Sequence, residues 1–292
     1  MKLRKLMILV LALTMTMAVA SASFDAGKTI TVVSREEGSG TRGAFVELTK
    51  VEVKNDAGEK EDMTYERATI ANSTSIVITN VSQNEYAIGY ASLASVQAAS
   101  DKVKPLKIDG VDATVENILA ETYPIARPFV LVTVKDGELS PLAEDFIKYI
   151  LSAEGQEVIN NNGVIGTVQD APAYEAANLE GKLVVGGSSS VSPVMEKLKE
   201  AYQVLNPQAD IEVQTTDSSS GVKNALNGSY EIGMSSRNLK DSELEQGAQP
   251  TVLGMDGIAV IVHLDNPTED ITAEQLRQVY VGEITTWADL SK

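Results

Sequence analysis

Cysteine is absent from this 292-residue chain, and histidine and tryptophan occur once each. Without cysteine there is no disulfide, no thiolate zinc site and no cysteine nucleophile. A serine–histidine triad has only His263 to draw on. That residue stands in the apolar run Ile258-Ala-Val-Ile-Val-His-Leu264, and a lone histidine without partners reads as a strand-end residue. Positive charge is also scarce: 24 Lys and Arg face 41 Asp and Glu, for a net charge of -17. That balance excludes the basic face a nucleic-acid binder needs. It gives an anionic ligand no help from the overall field, so any anion site must be local, built from hydroxyls, backbone N–H groups and one or two arginines. No G-x-S-x-G, no P-loop lysine and no metal-ligand cluster is present, which argues against a serine hydrolase or phosphatase. A purely structural surface protein would leave the loops described below without a purpose.

The one long apolar run, Leu6 to Ala20, follows Lys2, Arg4 and Lys5 and ends near the small-residue sites Ala18-Val-Ala20 and Ala20-Ser-Ala22. This is the pattern of a signal peptide over residues 1–22 and places the mature protein outside the cytoplasm. The run is short for a membrane span, and whether it is cleaved or stays as an anchor is left open. No cysteine follows it to carry lipid. The remaining length and 43% hydrophobic content suffice for two ordinary domains.

Past this segment, short strands alternate with amphipathic helices, the pattern of an α/β fold. Val194, Met195, Leu198, Ala201, Tyr202 and Leu205 form a helical stripe that Pro193 opens and Asn206-Pro207 closes. Further helices are expected from Leu142 to Val158, with Phe146, Ile150 and Val158 inward, and from Thr272 to Tyr280. Pro128–Val134 and Gly257–Leu264 read as buried strands. The charged stretch Glu52 to Arg67 reads as a solvated loop or hairpin. One device recurs: a strand, a Gly/Ser/Thr loop and a helix start. It appears as R-E-E-G-S-G-T-R (Arg35 to Arg42) after Thr29–Val33, with Ala44, Phe45 and Leu48 on one face of the helix that follows. It returns as G-G-S-S-S-V-S-P (Gly186 to Pro193), and as T-T-D-S-S-S-G (Thr215 to Gly221) before a short helix ending at Asn227-Gly228. Free N–H groups at a helix start, with nearby hydroxyls, favour an anion. Any one such loop is ordinarily a cap and a turn. Three of them suggest one small oxyanion held between two lobes.

The motifs G-S-S-S-V-S-P-V-M-E (Gly187 to Glu196), D-S-S-S-G-V-K (Asp217 to Lys223), I-G-M-S-S-R (Ile232 to Arg237), D-G-I-A-V-I-V (Asp256 to Val262) and R-E-E-G-S-G-T-R together resemble the phosphate-binding proteins of bacterial phosphate ABC importers. The resemblance covers essentially the whole mature chain. It implies a two-lobe α/β fold of the periplasmic-binding-protein type II class, no enzymatic activity, no cofactor and no metal. It further implies a monomer that passes inorganic phosphate to the importer's membrane subunits. A receptor for another oxyanion such as sulfate, or a phosphate sensor without transport, is the alternative. In that family the segment resembling Lys182–Lys292 comes first, so the order here implies a circular permutation cut between Leu290 and Lys28. Lys28 and Lys292 are then expected side by side on one lobe. The lobes would be 123–255, continuous, and 28–122 with 256–292, split.

Carried over by the resemblance, the anion ligands are Ser189 (hydroxyl), Ser190 (backbone N–H), Ser218 (hydroxyl), Arg35 (charge), and Ser39, Gly40 and Thr41 (hydroxyl and backbone). Closure of the lobes by a hinge would complete the site. Ser236 stands where one branch of the family has an aspartate that accepts the proton of hydrogen phosphate and helps to reject sulfate. Glu37 or Asp217 is a substitute acceptor, or Glu37 pairs with Arg35 and fixes its fork, the reading that arginine–carboxylate habit favours. Arg237 either reaches the anion or braces the hinge. Arg42 reads as a solvated helix residue.

Overall fold

The computed structural model describes residues 24–291; the signal segment and Lys292 lie outside the described residues. In chain order the elements are β1 (Thr31–Arg35), α1 (Gly40–Leu48), β2 (Glu52–Lys54), β3 (Lys60–Asp62), β4 (Thr69–Ala71), α2 (Thr74–Ser82), β5 (Ala87–Ser92), α3 (Leu93–Gln97), β6 (Val103–Pro105), β7 (Lys107–Ile108) and α4 (Val115–Leu119). Then come β8 (Ala126–Val134), α5 (Pro141–Ile150), α6 (Ala153–Asn161), β9 (Ile165–Gly166), β10 (Gly181–Ser188), α7 (Ser192–Leu205), β11 (Ala209–Thr216), α8 (Ser218–Leu226), β12 (Ile232–Ser235), α9 (Asp241–Glu245), β13 (Ala248–His263), β14 (Asp270–Ile271) and α10 (Ala273–Tyr280).

The strands join in one path, β11-β10-β12-β8-β13-β5-β1-β4. One lobe has β10 between its parallel partners β11 and β12, with β8 antiparallel to β12. The other has β1 between its parallel partners β5 and β4. Strand β13 spans 16 residues and belongs to both. Its first part pairs with β8, Ala248 to Gly257 against Val134 to Ala126, and its second part, Ile258 to Val262, pairs with β5. A bulge between Val252 and Gly254 bends it on the way. Each lobe has its own core. Phe45, Ile88, Tyr90, Ile261 and Tyr280 lie in one. Phe129, Phe146, Leu183, Met195 and Tyr202 lie in the other.

Local chemistry accounts for the helices that frame the cleft. Helix α7 starts with Pro193 in its first turn and buries Val194, Met195, Leu198 and Tyr202. Serines 39, 73, 140 and 152 cap α1, α2, α5 and α6, each accepting a main-chain N–H of the first turn. The expected helix from Leu142 to Val158 is two helices, because Ser152 turns its hydroxyl to Gly155 N and starts a new one. Leu48, expected on the inner face of α1, is exposed, as is Leu205 at the end of α7. The charged stretch from Glu52 forms the β2–β3 hairpin. His263 ends β13, as its position in the apolar run implies, and its Nδ1 accepts from Asp265 N at 3.1 Å.

The two ends of the described chain run side by side. Ile30 N donates to Thr285 O at 2.8 Å, Ala288 N donates to Ala26 O at 2.7 Å, and Thr29 bridges Thr286. Both segments lie on the lobe that carries β1 and α10, with Trp287 Nε1 donating to Tyr86 O at 3.2 Å. Among the described residues, no helix is long and apolar enough to cross a membrane.

Candidate anion site between the lobes

The site begins at the C-terminal ends of β1, β4 and β10 and at the starts of α1, α2 and α8, where the chain leaves the sheet through polar loops. Arg35 is the last residue of β1 and only 2% exposed. Its backbone N–H donates to the Tyr90 hydroxyl at 3.2 Å, and that hydroxyl also meets Ser34 Oγ at 2.9 Å. Burial pushes the Tyr90 phenol up to about 12, so it stays a neutral anchor for Arg35. The Tyr90 ring in turn stacks on Phe45 with centroids 3.9 Å apart.

The guanidinium of Arg35 reaches across the cleft. Nη2 donates to Ser189 Oγ at 3.0 Å and Nη1 to Thr74 Oγ1 at 3.2 Å. Its other edge is held by Glu36, with Nε and Nη2 each 2.7 Å from a carboxylate oxygen. This corrects the expected pairing with Glu37, which is exposed.

From the lobe of α7, Ser189 and Ser190 face this arginine. Ser190 Oγ lies 2.8 Å from Thr41 Oγ1 and 2.9 Å from Thr74 Oγ1. Its backbone N–H, expected to serve the anion, donates instead to Ser188 Oγ at 3.3 Å, so Ser190 offers a hydroxyl. Ser218 opens α8 and is fully buried. Its Oγ accepts Ser236 N–H at 3.0 Å and lies 3.5 Å from Ser236 Oγ. The backbone N–H takes one of the two lone pairs of Ser218 Oγ, and its proton is available to donate. Gly40 opens α1 directly opposite. A Cβ there would meet Ser236 Oγ at 2.7 Å and Ser218 Oγ closer still, so only glycine admits this approach. Gly38 O accepts from Ser219 N at 3.1 Å, a main-chain bond from lobe to lobe.

The structure thus brings Arg35, Gly40, Thr41, Ser189, Ser190, Ser218 and Ser236 to one buried junction. Ser39 stands beside it as the α1 cap, its Oγ accepting from Arg42 N at 3.2 Å. Asp217 is a cap, taking Ser220 N at 2.9 Å and Ser220 Oγ at 2.6 Å. Its role as a substitute acceptor is therefore not supported. Arg237 forks Glu243 at 2.8 Å through both terminal nitrogens and donates to Ser219 Oγ at 3.2 Å, partners on its own lobe that show it neither reaching the anion nor bracing the hinge. Arg42 is not simply solvated: it pairs with Asp62 at 2.7 Å and donates to Arg35 O at 2.9 Å, tying the β2–β3 hairpin to the arginine.

Two residues escaped the sequence reading. Thr74 starts α2, is buried, and touches Arg35, Ser189 and Ser190. The segment Asn72-Ser-Thr-Ser75 ahead of an apolar run is a capping signature that signals a fourth helix start at the site. Arg127 lies beneath Ser236, and its partner Asp256 is 129 positions away in sequence, a pairing no local pattern announces.

A family model described as "PBP superfamily domain" matches residues 21–154 and 164–292. The chain is 50% identical over 264 residues to "Phosphate-binding protein PstS 2" of Streptococcus agalactiae, covering 90% of this chain and 88% of that one. The chain belongs to the PBP superfamily and, within it, to the PstS family. A crystal structure of a phosphate-binding protein of a phosphate ABC transporter from Streptococcus pneumoniae superposes with a TM-score of 0.70 at 42% identity, covering 90% of this chain and 99% of that one. The PstS protein of Borreliella burgdorferi is 33% identical over 116 residues, 39% of this chain and 42% of its own. The two-lobe α/β architecture is that of this superfamily.

Proposed function

We propose that this protein is an extracytoplasmic receptor that closes on inorganic phosphate and hands it to the membrane subunits of an ABC importer. The observation that carries the reading is the buried junction itself. Hydroxyls of Thr41, Thr74, Ser189, Ser190, Ser218 and Ser236 converge there from both lobes beside the guanidinium of Arg35, which touches Ser189 and Thr74, and all of these residues are buried. Hydrogen bonds to an ionised acceptor are worth about 1.5–3 kcal/mol each before association costs are deducted. The PstS relatives named above support phosphate as the ligand. The depth of the site supports a small inorganic ion, since an ester substituent would have to pass between lobes that touch at Gly38 and Ser219.

A specific observation keeps sulfate as a second reading. The carboxylate in contact with the cluster is Glu36, already committed to the Arg35 fork. Ser236 Oγ is then left as the acceptor for the proton of hydrogen phosphate, and a neutral hydroxyl rejects a fully ionised oxyanion less sharply than a carboxylate does. Calorimetric titration of the mature chain with phosphate and then sulfate tests both. Heat with phosphate is expected; clear sulfate binding without phosphate binding would overturn the first reading.

The protein acts as a monomer, exported by its N-terminal segment. Its lobes divide at 28–122 with 256–292 and at 123–255, a split that the two cores and the shared β13 support. Adjacent chain ends at Thr29 and Thr286 favour a circular permutation of the family order. So does the limited match to the Borreliella protein, since two segments in opposite order align only one at a time. The streptococcal relatives align along most of their length and so share the order seen here.

A further inference from the structure

We propose that Arg127 is a positioning residue for the anion site, fixing the backbone at Ser236 and through it the donor hydroxyl of Ser218; this rests on the phosphate-binding reading above. Arg127 stands on β8 and faces Asp256 on β13 as a direct cross-strand pair, at the point where both strands pass between the lobes. Its Nη2 donates to Asp256 Oδ2 at 3.1 Å, and Asp256 is held from the other lobe by Ser92 Oγ at 3.0 Å and Ala94 N at 3.3 Å. Its Nη1 donates to Ser236 O at 2.6 Å. One planar group therefore links the start of α3 in one lobe to the end of β12 in the other.

The linkage continues into the site. Ser236 is thus held through both of its flanking peptides: its carbonyl, in the peptide to Arg237, accepts from Arg127, and its N–H, in the peptide from Ser235, donates to Ser218 Oγ at 3.0 Å. That bond holds Ser218 Oγ at the junction and takes one of its two lone pairs, leaving its proton to be donated. If the Ser236 backbone turns, Ser218 Oγ loses the N–H that holds it in place and Ser236 Oγ moves away from Gly40.

Stability is a poor explanation for so costly a pair. Arg127 and Asp256 are 2% and 1% exposed, and burial outweighs their attraction: the carboxyl is pushed up to about 6 and the guanidinium down to about 10. Arg127 Nε is the one buried side-chain nitrogen or oxygen without a hydrogen-bond partner among the described residues. Replacing such a pair with neutral groups is frequently neutral or stabilising, whereas removing one partner is not. A pair that costs stability at the hinge and points at the site fits a role in binding.

The test measures phosphate affinity and melting temperature for Arg127→Met, for Arg127→Met with Asp256→Asn, and for Arg127→Lys. Arg127→Met alone leaves Asp256 unpaired and lowers both quantities. The double variant is expected to recover most of the melting temperature while its affinity stays at least tenfold below wild type; recovery of both would overturn the proposal. Arg127→Lys keeps the charge but cannot serve Asp256 and Ser236 O together, so several-fold weaker binding with near-normal melting is expected, and wild-type affinity would count against the proposal. In a Ser218→Ala background, Arg127→Met should cost little further affinity, because both act through one hydroxyl; losses that simply multiply would refute the route through Ser218. A wild-type protein that takes up no phosphate overturns the functional reading and this one with it. Wild-type binding with an unaffected double variant overturns this one alone.

Discussion

Gly40→Ala separates closure from folding. Gly40 is the first residue of α1, in helical conformation, and no backbone strain opposes an alanine there. Within the helix, alanine is favoured over glycine by about 0.5–1 kcal/mol, less at an end than in the middle. The added methyl would lie 2.7 Å from Ser236 Oγ and nearer to Ser218 Oγ, both on the opposite lobe and both buried. Overpacking of this kind costs about 1–3 kcal/mol, which is roughly a five- to 150-fold loss of affinity. The clash exists only when the lobes meet, so an unliganded protein that opens escapes it. Titration calorimetry should report weaker phosphate binding, while a melt without phosphate should show no loss of stability. Unchanged affinity would refute the closure geometry, and a loss of stability equal to the loss of binding energy would refute its separation from folding.

Arg35→Lys should weaken phosphate binding by at least tenfold in calorimetry, because an ammonium cannot hold Glu36, Thr74 and Ser189 with the planar fork seen here. Tyr90→Phe removes the hydroxyl that accepts from Arg35 N and meets Ser34 Oγ; chemical denaturation should show a loss of about 1–2 kcal/mol, and affinity a smaller, few-fold decline. For Asp256, the folded carboxyl is raised to about 6 from an ordinary 3.8, so its contribution is fully present below the unfolded value and lost as pH rises through the folded one. Melting of Asp256→Asn relative to wild type should therefore shift in favour of the variant between pH 4 and pH 6 and level off above, and a flat difference would contradict the raised carboxyl.

Much of the site was legible because its chemistry is local. A strand, small polar residues and a helix start follow one another in sequence around Ser39, Ser189 and Ser218, and those loops do converge. The buried stretch of β8 and the second half of β13 stood out as apolar runs, although Val134 and Leu264 at their ends are exposed. What was not legible depends on side-chain direction or on distant partners. Glu36 and Glu37 are neighbours in sequence, and which one meets Arg35 depends on side-chain direction, which sends Glu36 to the guanidinium and leaves Glu37 exposed. The stretch Leu142 to Val158 keeps its apolar spacing through Ser152, so the break appears only where the serine side chain competes for a backbone N–H. Thr74 lay in a run of β-branched residues with no glycine to draw attention to it. The Arg127–Asp256 pair is a product of strand register alone.

Strand β13 has a consequence for how the molecule comes apart. A lobe tethered by flexible linkers can melt by itself and leave its neighbour intact. Here the same 16 residues supply an interior strand to both sheets. Losing either lobe strips β13 of the part of its ladder that lies there, while the rest of the same strand stays paired in the survivor, with β8 or with β5. The two cores are therefore joined in a single cooperative unit, and calorimetric unfolding should trace one transition where two-lobed shape alone would predict two.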